Sequence, residues 1–352
     1  MNLIKSYLGD RYQRVRIKNK HSKHHFSEWN KVKQGVPQGS VLGPLFFILY
    51  INDLPGLIKD MHTSKPTLYA DDTSIIITHP NFIDFKEELD TVIDKISNWF
   101  RTNLLTLNFN KTYYMNFSAK TKLLIDMQLS YKGNPISNTL STNFLGLTLD
   151  STLSWNLHVE QMSSKLNSAC YAIRLLKSII STNNLRAVYF AYVHSIITHG
   201  IIFWGNSPYS GDIFKLQKRV IRIIVKVDNR VSRRKLFKKL SILPLHSQYI
   251  LSLLLFVVKN MDIFTINSDV HSINTRHRSD LHPPLIKLTK YKKGVYYSGI
   301  KIFNSLPQSI KKLAGNVKKF KRTLKKCLLT GLFYTSEEYF DWTSRNDIGT
   351  YV

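Results

Sequence analysis

The amino-acid sequence predicts an α+β protein in which a small antiparallel sheet with packed helices precedes a mainly helical half. Short β-rich runs, among them "TLYA" and "TSIIIT", lie before residue 150, whereas amphipathic helical patterns dominate from His158 onward. With 43% hydrophobic and 12% aromatic residues, the 352-residue chain can build real cores. This composition argues against global disorder.

The first elements follow from local signals. Residues 1–9 are expected to form a helix that ends at Gly9, and "RYQRVRIKN" a strand in which apolar residues alternate with arginines. In "GVPQGSVLGPLFFILYINDLP" the long apolar run predicts a helix over residues 41–54. Ser40 is the expected N-cap of this helix, and Pro44 falls in its first turn. "PG" at its end is the expected stop.

Two adjacent aspartates, Asp71 and Asp72, separate "TLYA" from "TSIIIT", which predicts a hairpin with both acids at or next to its turn. Two neighbouring carboxylates repel each other and are costly to bury without partners. A turn tip in water would relieve that cost, and so would a divalent metal held between them. A helix is expected over residues 82–100, and further strands in "LLTLNFNKTYYMNFS" and "NFLGLTLD".

The charge is strongly basic and unevenly distributed. Lys and Arg number 50 against 23 acidic residues, which gives a net charge of +27. Residues 211–330 hold 27 of these cations and only 5 acidic residues, and their basic faces recur at helical spacing in "KLQKRVIRIIVK" and "RRKLFKK". Such an excess predicts a polyanionic partner, most often nucleic acid.

The remaining composition limits the class of protein. Two cysteines are too few for a disulfide framework or a cysteine-rich zinc site. The apolar runs "VLGPLFFILYI" and "YILSLLLFVV" are shorter than the roughly 20 residues that span a bilayer, so no membrane partner is expected. Because no signal peptide is recognised, we expect an intracellular protein that is not secreted.

Four motifs occur in a fixed order: "GVPQGSVLGPLFFILYINDLP", "LYADD", "LTLNFNKT" and "NFLGLTLD". In this order they resemble motifs B, C, D and E of the reverse transcriptases of non-LTR retrotransposons, the jockey-like type especially. The tail "NTRHRSDLHPPLIK…YYSGIKIFNSLPQSIK" is similar to the C-terminal part of such polyproteins. The resemblance therefore extends over nearly the whole chain.

The resemblance implies a partial right-hand polymerase. Residues 1–156 would be a partial palm, 157–260 a helical thumb-like region and 261–352 a basic C-terminal extension. The implied reaction is two-metal nucleotidyl transfer with Mg²⁺, and the implied partners are an RNA template, a DNA primer and deoxynucleoside triphosphates. A nuclear or cytoplasmic ribonucleoprotein is the implied location. The oligomeric state stays open.

The resemblance also assigns roles to individual residues. Asp71 and Asp72 would be catalytic metal ligands, and Lys111 would protonate pyrophosphate or steady the triphosphate. The positions beside the template base, the incoming nucleotide and the primer terminus would be Gln38, Gly39, Ser40, Tyr69 and Ala70. The primer grip would be formed by Phe144, Leu145 and Gly146.

Several of these residues have a structural alternative that the sequence leaves open. "QGS" would serve equally as a plain loop-to-helix turn, and Tyr69 as a buried strand residue. Lys111 would serve as a surface lysine, and Phe144 and Leu145 as core residues. Trp99 and Trp155 are expected to lie in the core.

One departure from the family pattern concerns motif A, which supplies a third catalytic carboxylate and is expected upstream of "YLGDRYQRVRI". Asp10 lies in a helix-to-strand turn and does not substitute for it. Two hypotheses follow. The chain is either an RNA-directed DNA polymerase by descent, incomplete in these 352 residues, or a catalytically inactive remnant that binds nucleic acid.

Overall fold

The chain forms two compact units, Met1–Tyr114 with Asp126–Ser137 and Met115–Ile125 with Asn138–Val352. The computed structural model describes residues 2–18, 23–33, 35–58, 61, 63–117, 129–131, 133–227, 232–271 and 277–345. The fold is rich in helices, with small antiparallel sheets in the first half, as the α+β prediction requires. The boundaries predicted at residues 156 and 260 stay predictions.

The first unit combines short strands with three helices among its described residues. Its elements are α1 (Asn2–Leu8), β1 (Tyr12–Gln13), β2 (Arg16–Lys18), β3 (His24–Phe26), β4 (Asn30–Lys31), α2 (Gly43–Ile51), a 3₁₀ helix (Leu54–Leu57), β5 (Ser64–Tyr69), β6 (Asp72–Ile77), α3 (Phe82–Thr102), a 3₁₀ helix (Phe109–Lys111), β7 (Tyr113–Tyr114), β8 (Leu129–Tyr131) and β9 (Asn134–Asn138). Strand β1 pairs with β4, β2 with β3, and β5 with β6, while β7, β9 and β8 form a sheet in that order.

The predicted helices at the N-terminus, after the "GVPQGS" loop and over residues 82–100 are confirmed, with changes at their ends. Helix α2 begins at Gly43 with Leu42 at the N-cap position, so the prediction of Ser40 as the N-cap is wrong by two residues. The Ser40 hydroxyl nevertheless accepts a hydrogen bond from the Gly43 backbone N–H at 3.1 Å. The helix ends at Ile51, before the predicted stop, because the chain tightens there into the 3₁₀ helix.

The strand predicted from Leu104 onward is mostly wrong. The end of α3 is closed by Leu104, with φ +52°, and by the Leu105 N–H, which donates to the Phe100 carbonyl at 2.9 Å. This capping pattern satisfies carbonyls that the helix leaves free, and it uses residues that the apolar pattern assigned to a strand. Among the described residues of this segment, only Tyr113–Tyr114 is a strand.

A small apolar cluster holds the first unit together. Ile51, Leu54 and Trp99 are its buried members, which confirms the core position predicted for Trp99. The Trp99 indole N–H also donates to Asp53 at 3.1 Å. Leu68 of β5 packs on the same cluster. The cluster therefore fixes the β5–β6 hairpin against α2 and α3.

The second unit is mainly helical. Its elements are β10 (Ser141–Phe144), β11 (Leu147–Asp150), α4 (Asn156–Leu176), α5 (Thr182–Val188), a π-helical segment (Tyr189–His194), α6 (Ser195–Thr198), α7 (Ile201–Trp204), α8 (Ser210–Val225), α9 (Arg233–Leu240), α10 (Leu245–Lys259), a 3₁₀ helix (Met261–Ile263), α11 (Asn267–Val270), α12 (Thr289–Lys292), α13 (Val295–Asn304), α14 (Gln308–Lys311), α15 (Val317–Gly331) and α16 (Ser336–Arg345).

One apolar core runs through these helices and includes residues on both sides of position 260. Helix α8 shows how the sequence builds it, because a buried stripe faces the core while cations occupy the other face. Gln217 is the polar member of that stripe and is 1% exposed. Its amide donates to the Tyr189 hydroxyl and the Leu243 carbonyl and accepts from the Leu245 N–H. These bonds satisfy the buried amide.

The C-terminal motifs noted in the sequence meet in this unit. The side chain of Asn304, in "FNSLP", accepts from the Leu281 N–H at 2.9 Å and donates to the Leu281 carbonyl at 2.8 Å. Lys311 donates to Asp280 at 2.8 Å and to the Asn304 carbonyl at 2.7 Å. The described part of "NTRHRSDLHPP" is therefore fixed to "FNSLPQSIK" by paired hydrogen bonds.

Within the described residues, no single helix is long and apolar enough to cross a membrane. Helices α9 and α10 meet the length and composition criteria only as a pair, and that pair is bent by 49°.

Candidate functional site

The two aspartates lie at the tip of the β5–β6 hairpin, as predicted. Tyr69 pairs with Asp72, so Ala70 and Asp71 form a two-residue turn. Ala70 has φ +52°, a conformation that residues with a Cβ rarely adopt and that is frequent at functional turns. Both carboxylates are exposed. Water therefore relieves their repulsion, and oxygen ligands face outward where a cation can reach them.

Tyr69 accompanies the acids on the surface. Its side chain is 63% exposed, so the alternative of a buried strand tyrosine is wrong. Cross-strand partners share a face of a hairpin, and Tyr69 and Asp72 are such partners. Ala70 and Asp71 are exposed beside them. A phenol ring and two carboxylates thus form one surface group at the tip.

The base of the hairpin is anchored to α3. Ser64 and Thr63 donate hydroxyl hydrogen bonds to Glu88. Burial would raise the pKa of the Glu88 carboxyl, but the bonds from Ser64 and Thr63 outweigh it and lower that pKa. Together with Leu68 in the apolar cluster, these bonds give the exposed tip a fixed support.

The "QGS" loop precedes α2. Gly39 has φ +85°, which a residue with a Cβ would adopt only under strain. The Ser40 hydroxyl accepts from the Gly43 N–H and from the Tyr7 hydroxyl at 2.5 Å. Ser40 is therefore used within the loop, whereas Gln38 is exposed. The structure shows the loop-to-helix turn and leaves the amide of Gln38 accessible.

Lys111 lies on a separate element, the 3₁₀ helix that follows α3, and its side chain is exposed. The neighbouring Phe109 packs on Tyr131 of β8 with ring centroids 5.5 Å apart. Asp10 is exposed in the turn after α1 and pairs with Lys31 at 2.8 Å, as expected for a residue outside the site.

The segment Phe144–Gly146 forms the turn of a second hairpin, β10–β11, in the other unit. Phe144 pairs with Leu147, and Leu145 and Gly146 have φ +47° and +81°, which is the pattern of a type I′ turn. A Cβ on Gly146 would lie 2.8 Å from Nε2 of His199. That ring nitrogen also lies 3.1 Å from the Leu145 carbonyl. The hairpin is thus pressed against the end of α6.

Neither apolar residue of this turn is a core residue. Leu145 is 40% exposed and Phe144 is half-buried, so the alternative that both are core is wrong. Behind the turn, Gly200 has φ +57° and its missing Cβ leaves room for Leu147, whose Cδ2 would lie 2.5 Å away. The hairpin therefore presents an apolar tip from a closely packed base.

Residues 1–149 match the family described as reverse transcriptase (RNA-dependent DNA polymerase). The chain is 29% identical over 232 residues to the "Probable RNA-directed DNA polymerase from transposon BS" of Drosophila melanogaster. This match covers 63% of this chain and 25% of that protein. It is 24% identical over 226 residues to the "RNA-directed DNA polymerase from mobile element jockey" of the same species, covering 63% and 24%. The first 149 residues therefore match the reverse transcriptases, and these relatives include a polymerase of the jockey-like non-LTR type.

This chain spans about a quarter of the length of the curated relatives it matches. No solved structure matches it significantly. Reverse transcriptases generally use divalent metal ions, and Asp71 and Asp72 provide the hard oxygen ligands that Mg²⁺ prefers. The described residues contain no group of three or more His, Cys, Asp or Glu side chains able to hold a metal. The residues present fit part of such a site.

Sequence reasoning missed a buried polar junction behind the β10–β11 hairpin. Asp150 accepts hydrogen bonds from Thr152, Ser154 and the Trp155 N–H. Burial would raise the pKa of the Asp150 carboxyl, but these bonds outweigh it and lower that pKa. An aspartate followed by Ser and Thr just before a helix is a recognisable capping signal. Asp150 therefore orients the start of α4, and its buried carboxylate serves the fold.

His158 completes this junction. Its Nδ1 accepts from the Thr148 N–H at 3.3 Å, which requires the neutral ring. Burial, and then the charges of His199 and Lys165, lower the pKa of His158 to about 4. The ring also contacts Trp155 and Trp204, and Trp155 packs partly buried on the core as predicted. His158 is therefore a core histidine.

A cationic cavity lies between the ends of α4 and α8 and was also missed as a site. Its volume is about 390 Å³, and its lining includes Lys177, Arg219 and Arg222. The Nε of Arg222 is buried without a hydrogen-bond partner. On the same helix, burial and then the neighbouring cations Arg233, Arg222 and Lys215 lower the pKa of Lys218. Cations gathered in this way attract an anion.

Proposed function

We propose that this chain contributes the metal-binding hairpin and the nucleic-acid-binding helices of an RNA-directed DNA polymerase. One observation carries the proposal. Two adjacent carboxylates stand exposed at the tip of a hairpin, Asp71 in its two-residue turn and Asp72 directly after it, and the base of this hairpin is fixed by packing and hydrogen bonds. Carboxylates held in this way are suited to a divalent cation, and the match to the reverse transcriptases gives that cation its use.

In this proposal Asp71 and Asp72 would hold Mg²⁺ in a two-metal site. When bound, the metal would supply charge stabilisation for the departing pyrophosphate and help ionise the primer 3′-hydroxyl. Tyr69 and Ala70 would lie beside the primer terminus, and Gln38, Gly39 and Ser40 beside the template base and the nucleotide. Lys111 would donate a proton to pyrophosphate. The β10–β11 turn would hold the primer strand.

The proposed architecture is a partial palm followed by a helical thumb and a C-terminal extension. The helices before and after residue 260 share one core, which supports treating the thumb and the C-terminal extension as one helical body. The location in a nuclear or cytoplasmic ribonucleoprotein, with an RNA template and a DNA primer as partners, belongs to the same proposal.

Primer extension on an RNA template with Mg²⁺ tests the catalytic part. We expect no extension by the 352 residues alone, because the described residues supply two clustered carboxylates and no third ligand. The same chain joined to a preceding polymerase segment that carries the motif A carboxylate is expected to extend the primer. Asp71→Asn in that longer protein should reduce the rate by about 10²-fold or more, the usual cost of removing one preorganised stabilising group.

Asp90→Asn is the matched control, since Asp90 is an exposed acid on α3 outside the hairpin. It should leave the rate unchanged. Mn²⁺ binding to the 352-residue chain, measured by electron paramagnetic resonance, tests the metal ligands independently of activity. The affinity for Mn²⁺ should fall in Asp71→Asn but not in Asp90→Asn. Equal Mn²⁺ binding by the two variants would contradict the assignment of Asp71 as a metal ligand. Robust primer extension by the 352 residues would contradict the proposal that their catalytic site is incomplete.

A second function, nucleic-acid binding without catalysis, is favoured by the cationic cavity. We expect duplex DNA binding whose affinity falls with salt, with a log–log slope that steepens by about 0.9 for each phosphate neutralised. Replacing Lys177, Arg219 and Arg222 by Gln should make the slope shallower by up to about 3. Lys5→Gln, an exposed change in the first unit, is the control. An unchanged slope in the triple variant would show that the cavity holds no phosphate.

A further inference from the structure

Strands β1 to β4 form one long two-stranded ribbon in the first unit. Gln13 pairs with Asn30 and Arg16 with Phe26, so the register shifts by one residue between the two pairs. An extra residue on the second side is a β-bulge, which bends a ribbon and redirects its side chains. All the residues of these four strands are exposed. The ribbon thus has no core of its own on either face.

An aromatic stack occupies the bulge. The guanidinium carbon of Arg14 lies 4.1 Å from the ring centroid of Phe26 and 4.6 Å from that of Trp29. Phe26 is 48% exposed and Trp29 is 59% exposed. A cation held over two rings positions them and still leaves ring area for another planar group. Two exposed rings held side by side form a contiguous apolar patch, and such patches mark interaction sites.

Cations line the same ribbon. Arg14, Arg16 and Lys18 alternate along the first side, and residues two apart on a strand are separated by about 6.7 Å. Arg16 pairs with Phe26, so a cation and an aromatic ring share one face. Charged strands also protect an exposed ribbon from pairing with another chain, which explains the cations. That explanation does not cover the exposed Trp29, which invites contact with other molecules.

We infer that this bulged ribbon binds single-stranded nucleic acid, with a base stacked on Trp29 or Phe26 and the backbone phosphates on Arg14, Arg16 and Lys18. Stacking platforms interleaved with cations are the combination that holds single strands without sequence preference. The inference rests on the proposed function in one respect: the single strand would be the template of the polymerase. Base faces are hidden in a duplex, so the ribbon prefers single strands.

Trp29 provides the test. The five tryptophans all lie in the described residues, and Trp29 is the exposed one. Adding an oligouridine 20-mer to the full chain should quench its emission. Trp29→Ala should lower the affinity for this RNA by about 5- to 100-fold, the range for losing one stacked base. Trp29→Phe should keep the affinity within about twofold and lose the quench, because phenylalanine still stacks but emits weakly.

Two further variants separate stacking from charge and folding. Arg14→Lys keeps the charge but removes the planar group between the rings, and should weaken binding of the 20-mer about threefold or more. Tyr171→Ala removes an equally exposed aromatic residue from α4 and is the matched control. Binding of blunt duplex DNA, which reports on the helical unit, should stay within twofold in every ribbon variant.

Three results would overturn the inference. One is an oligouridine affinity that Trp29→Ala leaves unchanged. Another is an equal loss of single-strand and duplex binding in that variant. The third is sedimentation showing that the ribbon instead joins two copies of the chain. Primer extension is not used in this test, so an inactive polymerase site would leave its result intact.

Discussion

Replacing Gly146 by alanine should destabilise the second unit by about 2 kcal/mol, from two separate causes. The first is its φ of +81°, where a Cβ costs about 1 kcal/mol. The second is the contact at 2.8 Å between that Cβ and Nε2 of His199. The imidazole must turn away and give up its hydrogen bond to the Leu145 carbonyl, which contributes about 1 kcal/mol net.

Urea unfolding followed by tryptophan fluorescence measures this change, because the buried Trp204 indole N–H donates to the His199 carbonyl beside the hairpin. A double-mutant cycle with His199→Ala separates the two causes. In the His199→Ala background, Gly146→Ala should cost only about 1 kcal/mol, the part due to φ. Gly133→Ala is the control: Gly133 has φ +75° but lies in the first unit, so this change should leave the transition of the second unit unchanged.

A Gly146→Ala chain as stable as the wild type would refute the packing argument. A cost that His199→Ala leaves unchanged would show that the imidazole contact contributes nothing. In the longer protein used for primer extension, a loss of extension by Gly146→Ala well beyond the measured loss of stability would instead support the proposed contact of this turn with the primer.

Two further predictions concern buried polar groups of the helical unit. Gln217→Leu should lower the free energy of unfolding by roughly 3 kcal/mol in urea denaturation, since three buried groups lose their partner, whereas Lys215→Ala on the exposed face should change it little. The pKa of His158 is about 4 in the folded chain and 6.5 in the unfolded chain. Its contribution to the free energy of unfolding is therefore complete above pH 6.5 and is lost as the pH falls toward 4. Stability measured across this range should fall by up to roughly 3 kcal/mol on account of this group. Burial also lowers the pKa of His194 and His246, so the difference between the wild type and His158→Gln isolates the share of His158, and identical pH profiles would contradict it.

Local sequence signals were sufficient where a segment's own chemistry decides its conformation. The hairpin around Asp71 and Asp72 was predicted because two β-rich runs flank a two-residue turn. The helix at residues 82–100 was predicted because its apolar residues recur at helical spacing. The strand predicted after Leu104 failed, because a helix cap uses the same apolar residues and a linear pattern does not distinguish them.

Contacts between distant segments were beyond the sequence. Nothing in "LPLHSQ" or "KLQKR" alone indicates that Gln217 bonds to the Leu245 N–H, 28 positions away. The same holds for His199 against Gly146, and for Arg14 between Phe26 and Trp29 across a bulge. Each depends on where the rest of the fold places the second partner.

The sequence by itself determined the resemblance of the first half to reverse transcriptases, the adjacent carboxylates and the basic helical half. Residue type and spacing carry these properties in any conformation. Only the tertiary structure decided that Tyr69 and the acids stand in solvent on an anchored tip, and that Asp150 and His158 are buried structural groups. Exposure and pKa depend on the atoms that fold around a side chain. Those atoms come from segments far apart in the chain, and packing alone brings them together.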